Sequence, residues 1–140
     1  MYGRNLKAYK RTNLEAELSV ADPHRIIQMM FEGLITRLSQ ARGAIERHDL
    51  EMKSILISKA VGIINGLQGS LDKTKDAELA ERMSALYDYM KDCLGKATLE
   101  MDVSPIDEVI KLIQPIKEAW DKIPNDIKDK TNAEILSKQH

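Results

Sequence analysis

The sequence is poor in the residues that punctuate and cross-link a chain. It has one cysteine, four prolines and seven glycines among 140 residues, and aromatics make up only 4%. The single cysteine, Cys93, excludes an internal disulfide, and one Cys with three His cannot assemble a zinc set. So few turn formers argue against a β-sandwich, which needs many strands and turns. No run of about 18 apolar residues exists, so no segment reads as a membrane span. Charge of one sign is missing too. The 21 basic residues face 22 acidic ones, a formal net of −1, which excludes a dominant nucleic-acid footprint. There is no glycine-rich phosphate loop, no GxSxG and no HExxH, and no Glu stands three residues before a His. Catalytic, cofactor and metal sites are therefore not expected, and the protein does not read as an enzyme.

What is present is helix-forming. The chain is 43% apolar and 31% charged, rich in Ala, Leu, Ile, Met, Glu and Lys, and long enough for one domain with a real core. The first residues are basic (Arg4, Lys7, Lys10, Arg11) but no apolar run follows, so they do not read as a secretory signal, and a reducing cytoplasm is the expected location.

The first helix start is Asp22-Pro23, a capping residue followed by a residue with no amide hydrogen to leave unpaired. From there Ile26, Ile27, Met30, Phe31, Leu34, Ile35, Leu38, Ala41 and Ile45 recur at steps of three and four, one face of an amphipathic helix ending near His48-Asp49. Asp49 is placed to cap a second helix with Met52, Leu56, Ala60, Ile63, Ile64, Leu67 and Leu71 on its face. Ile55, Ile57 and Val61 widen that arc beyond what one core contact needs. The polar stretch from Leu71 to Glu78 reads as a loop. A third helix carries Leu79, Met83, Leu86, Tyr87, Met90, Leu94, Ala97 and Met101. Ser104-Pro105 repeats the cap-then-proline signal, and a fourth helix carries Ile106, Val109, Ile110, Ile113, Ile116, Trp120 and Ile123, with Pro115 expected to kink it. Short connections between long helices imply an all-α, antiparallel up-down-up-down four-helix bundle. The expected organisation is an N-terminal head over 1–21, the bundle over 22–123 and a polar tail over 124–140.

Three features stand out. Gly62, Gly66 and Gly69 fall within one helix, and each costs about 1 kcal/mol relative to Ala. They admit either a neighbouring helix of the same bundle or a foreign backbone, and the former is the favoured reading of Gly62 and Gly66. Methionines at 29, 30, 52, 83, 90 and 101 fill a core or repack around a partner. The head carries Leu6 and Tyr9 one turn apart, able to hold it against an apolar surface. Cys93 reads as a small residue beside the core. A phosphotransfer or signalling bundle, the alternative from another class, would need His24 or His48 as phosphate acceptor, and both fall at helix ends.

The head Met1-Tyr2-Gly3 and Leu6-Lys7-Ala8-Tyr9, the run from Asp22-Pro23-His24-Arg25-Ile26-Ile27 to Phe31-Glu32-Gly33, Lys59-Ala60-Val61-Gly62-Ile63-Ile64 with Leu67 and Leu71-Asp72, then Leu86-Tyr87-Asp88-Tyr89-Met90 and Glu118-Ala119-Trp120 follow one another in order. Together, over about residues 1 to 123, they resemble the FliS family of flagellar export chaperones. Asp22 stands where the family usually has Ser, an equivalent cap, and Lys73-Thr74-Lys75-Asp76 stands where a Gly pair is usual. The resemblance implies a cytoplasmic chaperone that uses no cofactor. It would bind the disordered C-terminal segment of flagellin, block premature polymerisation and deliver the subunit to the flagellar type III export apparatus. Further partners would be the export gate and other flagellar proteins. The residues assigned to the partner surface are Leu6, Tyr9, Ile27, Met30, Ile57, Val61, Ile64, Tyr87 and Met90.

Overall fold

A computed structural model describes residues 22–123. Four α-helices follow one another: α1 (Pro23–Glu46), α2 (Leu50–Gly69), α3 (Ala77–Leu99) and α4 (Ser104–Asp121), with no strand among the described residues. Leu6, Tyr9 and the expected head and tail lie outside the described residues. The segment 22–28 belongs to a unit separate from the compact body Met29–Lys122, and each is described by itself.

In the first segment Asp22 caps α1 as expected. Its Oδ1 accepts from Arg25 N at 2.7 Å, while Arg25 Nη1 donates to Gln28 Oε1 at 2.8 Å.

In the body, pairs of contacts running in opposite directions fix the helix directions. Phe31 stacks edge-on against Trp120 at 6.3 Å, and Arg42 Nε donates to Asp107 at 2.8 Å, so α1 and α4 are antiparallel. A Cβ on Gly66 would meet Met30, and one on Gly33 would meet Ile63, so α1 and α2 are antiparallel. Lys53 reaches Thr98 and Gln68 reaches Ser84, so α2 and α3 are antiparallel as well. The four helices therefore form an up-down-up-down ring. Its core is Phe31, Leu34, Leu38 and Ile45 of α1, Leu56, Ile64 and Leu67 of α2, Met90 and Leu94 of α3, and Ile106, Val109 and Ile113 of α4, spaced at threes and fours.

The α1–α2 corner is tight. Asp49 N donates to Ala44 O at 2.8 Å and His48 N to Ile45 O at 3.0 Å, which together form a Schellman closure. Asp49 then serves twice, because its side chain caps α2 through Met52 N at 3.1 Å. The closure places His48 at φ 55, a left-handed conformation that a Cβ disfavours. His48→Gly should therefore stabilise the protein by about 0.5–1 kcal/mol, the steric relief less the extra chain entropy of glycine. A rise in the urea midpoint at constant slope is the measurement.

Both ends of α3 and the start of α4 differ from the sequence reading. Asp76 caps α3 through Leu79 N at 3.0 Å, so α3 starts inside the stretch read as loop, and it ends at Leu99, leaving Met101 in the connection. Ser104 is not the cap of α4 but its first residue. Asp102 Oδ1 instead accepts from Ser104 N at 2.9 Å and from its hydroxyl at 2.8 Å, and these two bonds hold the Asp102 carboxyl below the usual carboxylate range. The helix runs on through Pro115, which is exposed.

Lys53 is buried, with 3% of its surface exposed. Its ammonium donates to Thr98 O at 3.0 Å and Glu100 O at 3.5 Å, carbonyls at the C-terminal end of α3, where the helix dipole favours a cation. Lys53→Met keeps the apolar stem and removes the cap. The expected loss is about 1.5–3 kcal/mol, as for a hydrogen bond to a charged group, read by thermal and urea unfolding.

Candidate partner-docking surface

No group of three or more His, Cys, Asp or Glu among the described residues could hold a metal ion. Cys93 is buried. His24 is buried and His48 occupies the corner, so neither is the exposed mid-helix histidine that phosphotransfer needs. The chemistry on the surface is that of packing.

The flank of α2 facing α3 is a sealed seam. Residues 53, 57, 61, 64 and 68 recur at threes and fours on this flank, which carries Lys53 and Gln68 to α3. Gln68 Nε2 donates to Ser84 Oγ and to Asp88 Oδ1, both at 2.9 Å, and the second bond holds the Asp88 carboxyl below its usual range. Lys91 Nζ donates to Gln68 Oε1 at 2.8 Å and to Asn65 Oδ1 at 3.1 Å.

This seam decides where the sequence-assigned residues stand. Ile57, Ile64, Tyr87 and Met90 are buried, and Val61 is half-buried. Burial pushes the Tyr87 phenol up to about 12, so it stays neutral through the physiological range. Met30 is half-buried and turned to α2, where its Cε lies 2.6 Å from the position a Gly66 Cβ would take. Ile27 is half-buried in the separate first segment. In the closed bundle, then, Ile57, Ile64, Tyr87 and Met90 are covered, and a partner reaches them only through a rearrangement. The reason is that periodicity selects the face that packs, whereas a docking surface is what remains outside it.

The outward face of α2 has a different character. From Ile55 to Ser70 its exposed residues are Ile55, Ser58, Lys59, Gly62, Asn65, Gly66, Gly69 and Ser70, a face with one charge. The exposed face of α3 carries Glu78, Glu81, Arg82, Asp88, Asp92 and Lys96 by contrast. Among the described residues, a Cβ built on Gly62 or on Gly69 meets nothing within 4 Å. The favoured sequence reading of Gly62, that a helix of the same bundle needs the space, is thereby overturned. At Gly66 that reading does hold, with the Met30 methyl in the gap.

A second partly open apolar strip flanks α3 and α4. Leu79 is exposed and Met83 and Leu86 are half-buried one and two turns later, while Leu112 and Ile116 are half-buried on α4. Tyr89 is exposed and donates to Glu108 Oε1 at 3.4 Å, tying the two helices on that side. Ile55, Leu79 and Leu86 appear in the sequence as ordinary members of helix faces, and only their exposure separates them from the core set.

Comparison with known proteins adds to this. The family model described as "Flagellar protein FliS" matches residues 5–126. The chain is 45% identical to the flagellar secretion chaperone FliSB of Pseudomonas aeruginosa, over 84% of this chain and 94% of that one. It is 35% identical to the flagellar secretion chaperone FliS of Vibrio cholerae, over 94% of this chain and 96% of that one. It is 41% identical to the flagellar secretion chaperone FliS of Salmonella typhimurium, over 84% and 88% of the two chains. A solved structure titled as a flagellar chaperone from bacteria has the same fold, with a TM-score of 0.66 at 16% identity, covering 83% of this chain and 94% of that one.

Proposed function

Because the chain belongs to the flagellar protein FliS family, we propose that it is a cytoplasmic export chaperone. On this reading it binds the disordered C-terminal segment of flagellin, prevents premature polymerisation and delivers the subunit to the flagellar type III export apparatus. The relatives' own names, flagellar secretion chaperone, support the general role. The observation that carries the docking mode is the open, nearly uncharged face of α2, with room above Gly62 and Gly69 for another backbone.

The physical case is as follows. An exposed mid-helix glycine such as Gly62 loses about 1 kcal/mol relative to Ala, and Gly69, at the end of α2, repeats the open space on the same face, where no described residue of the bundle fills it. A client helix lying across that face brings its backbone close and gains dispersion contact along the whole length. Ile55 at one end of α2, and the Leu79–Met83–Leu86 strip with Leu112 and Ile116, supply apolar anchors at helical spacing. Two separated strips suit a disordered client that wraps a small chaperone and folds as it binds. Ordering such a client costs about 2–5 kcal/mol or more of the gross interaction, which keeps the complex releasable at the export apparatus. No helix among the described residues is long and apolar enough to cross a membrane, which is compatible with a cytoplasmic carrier. The same reading takes Leu6 and Tyr9 of the head as further client contacts. Mixing the protein with the isolated C-terminal segment of its flagellin tests it. Calorimetry should give one-to-one binding, and circular dichroism should exceed the sum of the separate spectra. Strictly additive spectra with no heat would refute it.

A further inference from the structure

We propose that the groove between α1 and α2 near their shared corner docks an acidic, apolar-anchored helix of a second partner protein. The groove is an open depression of about 470 Å³ lined by Arg37 from α1, by Arg47 from the turn that follows it and by Met52, Leu56 and Lys59 from α2, with Gly43 between the arginines.

Three observations carry this. The first is charge. Among the described residues no carboxylate lies within ion-pair distance of Arg37, Arg47 or Lys59; Arg37 instead donates to Gln40 Oε1 at 3.1 Å. Elsewhere in the body Arg42, Arg82, Lys91 and Lys117 each meet a carboxylate, while Lys73, Lys75, Lys96, Lys111 and Lys122 have none within ion-pair distance among the described residues; what marks the groove is that three such cations line one depression. A chain whose charges nearly cancel thus leaves three cations unmatched around one groove. The second is Gly43. A Cβ there would lie 3.0 Å from Arg47 Nη1, so the absence of a side chain lets the guanidinium lie against α1 and along the groove. The third is the floor. Met52 is 40% exposed, and it lies beside Leu56 in the lining. Methionine repacks around whatever covers it.

The spacing describes the occupant. Arg47 lies ten residues after Arg37, one past the end of α1, and its amide still bonds Gly43 O at 3.0 Å, so the helical rise carries over about 15 Å. Because α2 runs antiparallel, with Met30 opposite Gly66 and Ile63 opposite Gly33, Lys59 comes level with Arg37, and Met52 comes nearer the level of Arg47. Positive charge therefore stands at both ends of an apolar floor about three helical turns long. The complement is a helix of similar length with carboxylates about three turns apart and an apolar side chain between them. A single-stranded nucleic acid would call for aromatic stacking surfaces, and the groove lining has none. The proposal goes beyond the flagellin reading and does not depend on it: Lys59 borders both surfaces, but Arg37, Arg47 and Met52 belong to the groove alone.

The test places a photo-cross-linking residue at Met52 of the full chain in a flagellated host, with and without Arg37→Glu and Arg47→Glu together. The expected result is a cross-linked peptide with carboxylates flanking an apolar centre. Its yield should fall at least tenfold on charge reversal and less on Arg37→Gln with Arg47→Gln. Affinity for the flagellin C-terminal segment should stay within twofold, with the melting midpoint unchanged. The proposal is overturned if no peptide is captured, if the peptide lacks clustered carboxylates, or if its yield ignores the substitutions. It is equally overturned if the peptide comes from flagellin's C-terminal segment or a second copy of this chain. Charge-dependent binding of a fluorescent single-stranded DNA, or of phosphatidylserine vesicles, in place of an acidic peptide would also overturn it.

Discussion

Gly62→Leu should make the protein more stable and a poorer binder. A Cβ at this position meets nothing within 4 Å among the described residues and the residue is exposed, so leucine fits without strain against the bundle. Replacing a mid-helix glycine by a good helix former should then gain about 0.5–1 kcal/mol, a rise of a few degrees in the melting midpoint. If a client helix lies across α2, the same leucine stands where the client backbone must come. Affinity for the flagellin C-terminal segment should fall more than tenfold, at least about 1.4 kcal/mol. The opposite signs separate the docking reading from general damage, because an unfolding variant loses both quantities together. Gly66→Ala is the internal control. Its Cβ meets only the mobile end of Met30, so packing against α1 has to adjust slightly and the fold should change little. Unchanged affinity for Gly62→Leu would remove α2 from the interface.

The second large effect distinguishes Ile64 from Ile55 on the same helix. Ile64 is fully buried, and Ile64→Ala should cost about 2–5 kcal/mol through lost transfer energy and an unfilled cavity. Ile55 is 41% exposed, so Ile55→Ser should leave stability within about 0.5 kcal/mol while weakening the flagellin complex. Urea unfolding and calorimetry on both variants make the comparison. Should Ile64→Ala weaken binding at a temperature where it is fully folded, and Ile55→Ser not, the client enters the bundle by parting α2 and α3. That outcome would restore Ile57, Ile64, Tyr87 and Met90 to the interface and displace the outward face.

How far the site could be read from sequence follows from what periodicity measures. The positions at threes and fours identified the helices and their buried sides. The residues that resemblance placed on the partner surface, Ile64 and Met90 among them, belong to the same pattern and came out fully buried. Exposure is not periodic information. Ile55 and Leu79 look like Leu56 and Met83 in a helical wheel that is apolar around much of its circumference, and they differ only in whether a neighbour covers them.

By itself the sequence determined four helices, their caps at Asp22 and Asp49, their antiparallel order and the absence of catalytic motifs, because these depend on local hydrogen bonding and on the spacing of apolar side chains. It also carried the family, through segments whose order survives divergence. Tertiary structure alone decided the rest. It drew Ser104 into the first turn of α4, leaving Val103 at the cap without a side-chain bond, while Asp102 accepts from the Ser104 amide and hydroxyl just ahead of the helix. It buried Lys53, whose partners are carbonyls on another helix and leave no trace in local pattern. It showed that Gly66 makes room for Met30 while Gly62 makes room for nothing in its own bundle. Three glycines on one helix are equivalent in sequence; which of them faces a neighbour and which faces water depends on how α2 is rotated against α1 and α3, and that rotation is set by packing over the whole core.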